Sequence, residues 1–203
     1  MNAPAMKSRG RKRSVAAETA ILAAATELLE EKSLRDLTCE AIAERAGTSK
    51  ATIYKWWPNK NHVALDAFLL RTQAEIPTSD TGCALRDFTE QLVLATRFYK
   101  SPRGRLLTQF IAEGQNDPDL LRLFRERFLR LRRQAVKAIW DKAVARGDIR
   151  ADVECELFID LLFSPLVYRL LVGHNPLADS DAAAIVHAVF RGVAAPDKIK
   201  RVR

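Results

Sequence analysis

Between Ala46 and Lys60 the chain reads AGTSKATIYKWWPNK. A small-residue turn is followed by Thr48, Ser49, Lys50, Thr52 and Lys55, spaced to share the outward side of one short helix. Their hydroxyl and ammonium donors, with a threonine methyl, are the groups that meet phosphate oxygens and base edges in a DNA groove. Catalytic chemistry has no comparable pattern. His62, His174 and His187 stand far apart, and no GxSxG, HExxH, P-loop or GxGxxG run occurs. Cys39, Cys83 and Cys155 are scattered without a CxxC, which argues against a disulfide scaffold or structural zinc and for a reducing cytoplasm. The chain is therefore expected to be no enzyme and to need neither metal nor cofactor.

A reading helix of this kind has to be held by others, and everything in the chain reads as helix. The eight glycines and eight prolines fall mostly between periodic segments, and no segment sustains two-residue alternation. A first helix is expected from about Ser14 to Lys32, with Ile21, Leu22, Ala25, Leu28 and Leu29 on one stripe. Thr38 reads as the N-cap of a second, stopping at Gly47, where a glycine tolerates positive φ. A short third helix ends before Pro58, and Asn59 can cap a fourth carrying Val63, Leu65, Phe68 and Leu69. Two short helices around a glycine turn on a longer first helix make a helix-turn-helix.

The composition breaks at Ile76-Pro-Thr-Ser-Asp-Thr-Gly82. The expected organisation is an all-α fold of about nine helices. It comprises a basic arm at 1–13, a helix-turn-helix domain at 14–76, a larger helical domain at 77–195 and a basic tail at 196–203. In the larger domain, Ser101-Pro102 and Asp117-Pro118 read as an N-cap followed by proline at the first helical position. The second of these opens one long helix to about Gly147, with Leu120, Leu121, Phe124, Phe128, Leu131, Ala135 and Ile139 facing inward. Asp152 to Val172 is apolar nearly all round, which implies burial on more than one side, and Pro165 should bend it. Within it, Asp160 is expected to pair with an arginine of the long basic helix or to meet a polar ligand group.

Residues 15–70 resemble the DNA-binding domain of the tetracycline-repressor (TetR) family, through the Ala-rich first helix, the LT before the second, IAERAG at the turn and TIYxxWxxK after it. The resemblance implies that Thr38 caps its helix and contacts a phosphate, that Tyr54 and Lys60 contact phosphates, and that Thr48, Ser49, Lys50, Ala51 and Lys55 approach the groove. Arg11 and Arg13 lie in a segment resembling basic extensions that relatives place in or near the minor groove, where narrowing attracts arginine. Three positions depart from the family: Ser33 replaces a glycine after the first helix, AGTS replaces AGVS, and Trp57 replaces a phenylalanine. Trp57 is expected in the core, while Trp56 can either touch the sugar-phosphate backbone or cover the surface.

Past residue 76, FYKSPRGRLL, IAEGQNDPDLLRLFRERF and LLFSPLVYRLLVGHNPL resemble one subgroup of TetR-like C-terminal domains. That resemblance implies a homodimer formed through the last two helices, and a cavity for a small-molecule effector. Candidate pocket residues are Phe88, Leu92, Phe110, Phe124, Phe128, Phe158, Leu162 and Tyr168, although aromatic stripes at helical spacing more often serve as plain core. Candidate interface residues are Phe163, Val167, Leu171, Val186, Val189 and Phe190. The net charge of +8 and isoelectric point of about 9.7 favour an anionic partner, and no apolar run reaches the roughly 20 residues a bilayer requires. The expected function is a ligand-responsive repressor that binds a palindromic double-stranded DNA operator as a dimer, with no membrane partner. A ligand-free architectural DNA binder is the alternative.

Overall fold

The computed structural model describes residues 15–72 and 79–193, and among these the regular structure is helical apart from an isolated bridge at Ile149. The elements are α1 (Val15–Glu31), α2 (Cys39–Arg45), α3 (Lys50–Tyr54), α4 (Lys60–Thr72), α5 (Ala84–Lys100), α6 (Pro102–Gly114), α7 (Pro118–Phe124), a π-helical turn (Arg125–Leu129), α8 (Arg130–Ala145), α9 (Cys155–Val172) and α10 (Asp179–Val193). Because the π turn joins α7 to α8 without a break, the described residues carry nine helical rods, and the long helix expected after Asp117 is one of them. The chain divides into two compact units between Ala67 and Phe68. The boundary expected at residue 76 lies outside the described residues, as do the arm at 1–13 and the tail at 196–203.

The first unit is built by caps and a small apolar core. Thr38 Oγ1 accepts from the Ala41 amide at 3.1 Å, and Ser49 Oγ from the Thr52 amide at 3.2 Å, so α2 and α3 each start on a side-chain acceptor. Gly47 between them sits at φ 60, where a Cβ would be strained. Ile21, Leu28, Leu34, Leu37, Ile42, Ile53 and Val63 are fully enclosed. Ser33 manages without the glycine that it replaces: its hydroxyl donates to Asp36 Oδ2 at 2.6 Å and accepts from the Asp36 amide, and its carbonyl accepts the Asp36 and Leu37 amides. The turn closes without positive φ.

In the second unit α10 lies along α5, while α8 and α9 pack on each other and on α5. Phe68, Phe110, Phe124 and Phe128 form a continuous ring cluster, with centroids 5.1 to 5.8 Å apart. Phe88, Trp140 and Phe158 form another at 4.7 and 4.8 Å. One expectation fails after residue 128. Leu131 is 46% exposed, not inward, because the π turn takes up an extra residue and shifts the helix phase, so that Val136, Ile139, Trp140 and Ala143 form the buried side of α8. Pro165 is accommodated within α9, which runs on to a left-handed C-cap at Gly173.

The reversal from α5 to α6 is the tightest point of the unit. Ser101 caps α6, Pro102 opens it, and a Cβ built at Gly104 would stand 2.3 Å from the Phe98 carbonyl oxygen and 2.5 Å from the Tyr99 Cα. Both are backbone atoms that cannot swing aside. Gly104→Ala is therefore expected to destabilise the protein by about 3 kcal/mol, read as a lowered denaturation midpoint with little change in slope.

Candidate nucleic-acid interface and ligand cavity

The outward side of α3 is open. Ser49, Lys50, Ala51, Tyr54 and Lys55 are exposed, and Thr48 is half-buried at the end of the glycine turn. The helix is only five residues long and is fixed from beneath by Ile53 and by buried Trp57, whose indole N–H donates to Asp66 Oδ2 at 2.7 Å. Trp56 is half-buried and meets Trp57 edge to face at 5.6 Å. Lys50 does not extend freely: its ammonium lies 2.6 Å from Glu40, an ion pair that holds the Glu40 carboxyl below its usual range. A hydrogen bond with the Cys39 thiol pushes the Tyr54 phenol above its ordinary value. Thr38 is exposed beside these groups at the start of α2. Among the candidate DNA residues only Arg11 and Arg13 lie outside the described residues.

Lys60 is placed differently from a lysine waiting in solvent. Its ammonium donates to the carbonyls of Leu34 at 3.2 Å and Arg35 at 2.5 Å, in the loop between α1 and α2. In the free protein it closes that loop, an occupation that the sequence resemblance did not suggest. Beside it, Asn59 caps α4 and engages His62 through the same oxygen, at 2.9 Å from Nδ1.

The second unit contains a cavity of about 540 Å³, within the range of small-molecule sites. Of the eight candidate pocket residues, Phe124, Phe128 and Tyr168 lie on its wall. Phe88, Leu92, Phe110, Phe158 and Leu162 do not; they are buried in the packed core, where the ring clusters need them. Three residues expected at a subunit interface, Phe163, Val167 and Leu171, also line the cavity. The sequence reading missed Gln91, Tyr99, Arg125, Leu129 and Arg132. Gln91 had a signal, since it falls between Phe88 and Ala95 on the apolar stripe of α5.

Two buried polar groups stand out on this wall. Gln91 is 4% exposed and its carbonyl oxygen has no hydrogen-bond partner among the described residues, a state that costs about 1–3 kcal/mol when unrelieved. Tyr99 is buried, which pushes its phenol up to about 12 against the opposing charge of Arg132. Arg132 donates to the Thr72 carbonyl and holds its guanidinium 5.6 Å over the Phe128 ring. Arg133 is bound to Asp160 at 2.7 Å and to Glu156, so Asp160 finds the arginine expected for it.

α9 also turns an apolar side to solvent: Leu157, Leu161, Tyr168, Leu171 and Val172 are 47–60% exposed. α10 turns Ala184 and Ala188 outward. The candidate interface residues Val186 and Phe190 are buried inside their own unit, on the side of α10 away from these alanines, and Val189 is half-buried. A helix must cover its own subunit's core first, and the largest residues of α10 do that.

Two outcomes follow from this geometry. Lys60→Met is expected to lower the stability of the free protein by about 1 kcal/mol, measured without DNA, whereas a lysine serving phosphate alone would leave the melting temperature unchanged. For Tyr99 the folded pKa is raised, so its stabilising contribution is complete below the unfolded value of 10.0 and is lost as pH climbs toward about 12. From about pH 9 to about pH 11.5 the protein should lose about 2 kcal/mol more than Tyr99→Phe does, by urea unfolding at each pH.

Comparison with known proteins places these features. Residues 21–67 match the family described as bacterial regulatory proteins, tetR family, and residues 78–189 match the tetracyclin repressor-like C-terminal domain. The HTH-type transcriptional regulator YdeS of Bacillus subtilis (strain 168) is 39% identical over 187 residues, covering 92% of this chain and 94% of that protein. A DNA-binding transcriptional repressor TetR of Mycobacteroides abscessus is 28% identical, over 91% of this chain and 95% of its own. The crystal structure of the TetR family transcription regulator SCO0332 is 33% identical with a TM-score of 0.75, covering 88% of this chain and 99% of that one. With an all-α fold, an open reading helix and matches spanning both units, the chain belongs to the TetR family of DNA-binding transcriptional regulators.

Proposed function

We propose that this regulator binds a palindromic operator as a homodimer, represses from it, and is released when a small molecule enters the cavity of the second unit. The observation that carries the reading is that one chain combines an open donor face on α3 with a cavity of about 540 Å³ whose wall holds an unpaired amide oxygen. A protein that merely coats DNA has no use for the second feature. A relative named a DNA-binding transcriptional repressor supports the sign of the regulation.

In this reading Thr48, Ser49, Lys50, Ala51 and Lys55 face the groove, and Thr38, Tyr54 and Lys60 reach phosphates. Lys50 exchanges Glu40 for the operator, and Arg11 and Arg13 reach the adjacent minor groove. One five-residue helix reads too few bases for specificity, so two are needed, roughly one DNA turn apart. The exposed stripe of Leu157, Leu161, Tyr168 and Val172 on α9, with Ala184 and Ala188 on α10, supports pairing of two protomers through these faces. The effector acts by favouring a state whose reading helices no longer match the operator spacing, and affinity falls by its differential preference for that state.

Selection from random duplex DNA at moderate salt is expected to enrich a palindrome, with Lys50→Ala and Tyr54→Phe each weakening it about tenfold. Leu161→Asp should sediment as a monomer and lose the palindrome while keeping weak binding to bulk DNA. No enriched sequence, with binding that simply fades as salt rises, would replace this reading with non-specific coating.

A further inference from the structure

The cavity wall is chemically lopsided. On its buried side α5 contributes Gln91, with its unpartnered Oε1, among the apolar groups of Ala95 and Phe98. The rings of Phe124 and Phe128, stacked on each other at 5.2 Å and 27°, give this wall an aromatic lining. At the exposed rim stands Arg125, the first residue of the π turn, whose guanidinium has no ion-pair partner among the described residues. Arg132 and Arg133 also line the wall, and the single acid there, Asp160, is already bound to Arg133. The wall is net cationic. Arg125 and Phe128, three residues apart within the π turn, lie on the same wall.

We infer that the cavity takes an aromatic organic anion, with an apolar ring body packed against Phe124 and Phe128, a hydroxyl or N–H donated to Gln91 Oε1, and an acidic group at Arg125. A cation would meet a wall of net positive charge. A pure hydrocarbon would leave the buried amide oxygen unpaired, and a neutral polar molecule would make no use of the charge of Arg125. The inference rests on the proposal that this cavity is the effector site, and it adds the chemical class that the site accepts.

The test uses two matched fluorescent probes on the full chain. Anilinonaphthalene sulfonate has two aromatic groups, one N–H and a sulfonate; phenylnaphthylamine is the same molecule without the sulfonate. The sulfonated probe should bind about fivefold tighter. Arg125→Ala should abolish that preference and Arg125→Lys should keep most of it. Gln91→Met should weaken both probes about fivefold, with a melting temperature at least as high as that of the parent protein. Equal affinity for the two probes, a preference that survives Arg125→Ala, or indifference of both to Gln91→Met would overturn the inference. Operator release separates it from the reading beneath. Probes that follow the expected pattern yet leave the operator complex intact uphold the ligand class and sink the effector role. Release by either probe regardless of Arg125 and Gln91 does the reverse.

Discussion

The second unit is governed by one constraint: outside the stripe of Glu156, Asp160 and Ser164, α9 is apolar around most of its circumference, and the rest of the chain can cover only part of a cylinder. Phe158, Ile159, Leu162 and Leu166 take the core side and are fully enclosed. Phe163, Val167 and Leu171 turn toward the cavity. Leu157, Leu161 and Val172 are left facing water, and Tyr168 and Leu171 border the cavity while still exposed. Each side asks for a different partner: the subunit's own core, a ligand, and another surface. The same helix thus borders both the cavity and the exposed apolar stripe, and a change felt on one side has a short path to the other.

The first unit solves the opposite problem. An isolated helix of five residues has no stability of its own, since nucleation consumes more order than so few bonds return. α3 exists because Ser49 caps it, Ile53 pins it, and the Trp57 indole is tied to Asp66 on α4. Lys60, donating to the Leu34 and Arg35 carbonyls, ties the start of α4 to the loop leaving α1. The groups that would meet DNA are accordingly carried on a stiff frame, and Lys50 is held in place by Glu40. Binding a phosphate then requires exchange of one anion for another, which favours sites offering more than backbone charge.

Most of this frame was legible in the residues. Caps at Thr38, Ser101 and Asp117 and the turn at Gly47 follow from local chemistry that tertiary packing rarely overrides, and each stands where the sequence put it. The cavity was not legible in the same way. Phe88 and Phe158 carry the same periodicity as Phe124 and Phe128, yet the first pair closes around Trp140 and the second borders open space. Periodicity tells which side of a helix is covered, not whether the covering atoms touch. The π turn was invisible for a related reason: RERFL reads as ordinary helix, and only the phase of Leu131 against Val136 betrays the extra residue.

The unpaired oxygen of Gln91 and the aromatic wall have different parts in any switch built on this cavity. One recovered hydrogen bond is worth about 0.5–1.5 kcal/mol, a factor of roughly two to twelve in affinity. Swinging a two-state equilibrium from almost wholly one form to almost wholly the other takes about 5.5 kcal/mol of differential binding. Gln91 alone is far too weak for that. Covering about 100 Å² of ring surface contributes about 2.5 kcal/mol, and a dimer of the proposed kind would hold two ligands. In such a switch the larger share would come from ring contacts made in only one of the two states, while the buried amide and the rim arginine would decide which molecules make them. Selection by unsatisfied polar atoms and work by apolar contact also explains why a regulator would tolerate a destabilising amide in the middle of an apolar stripe.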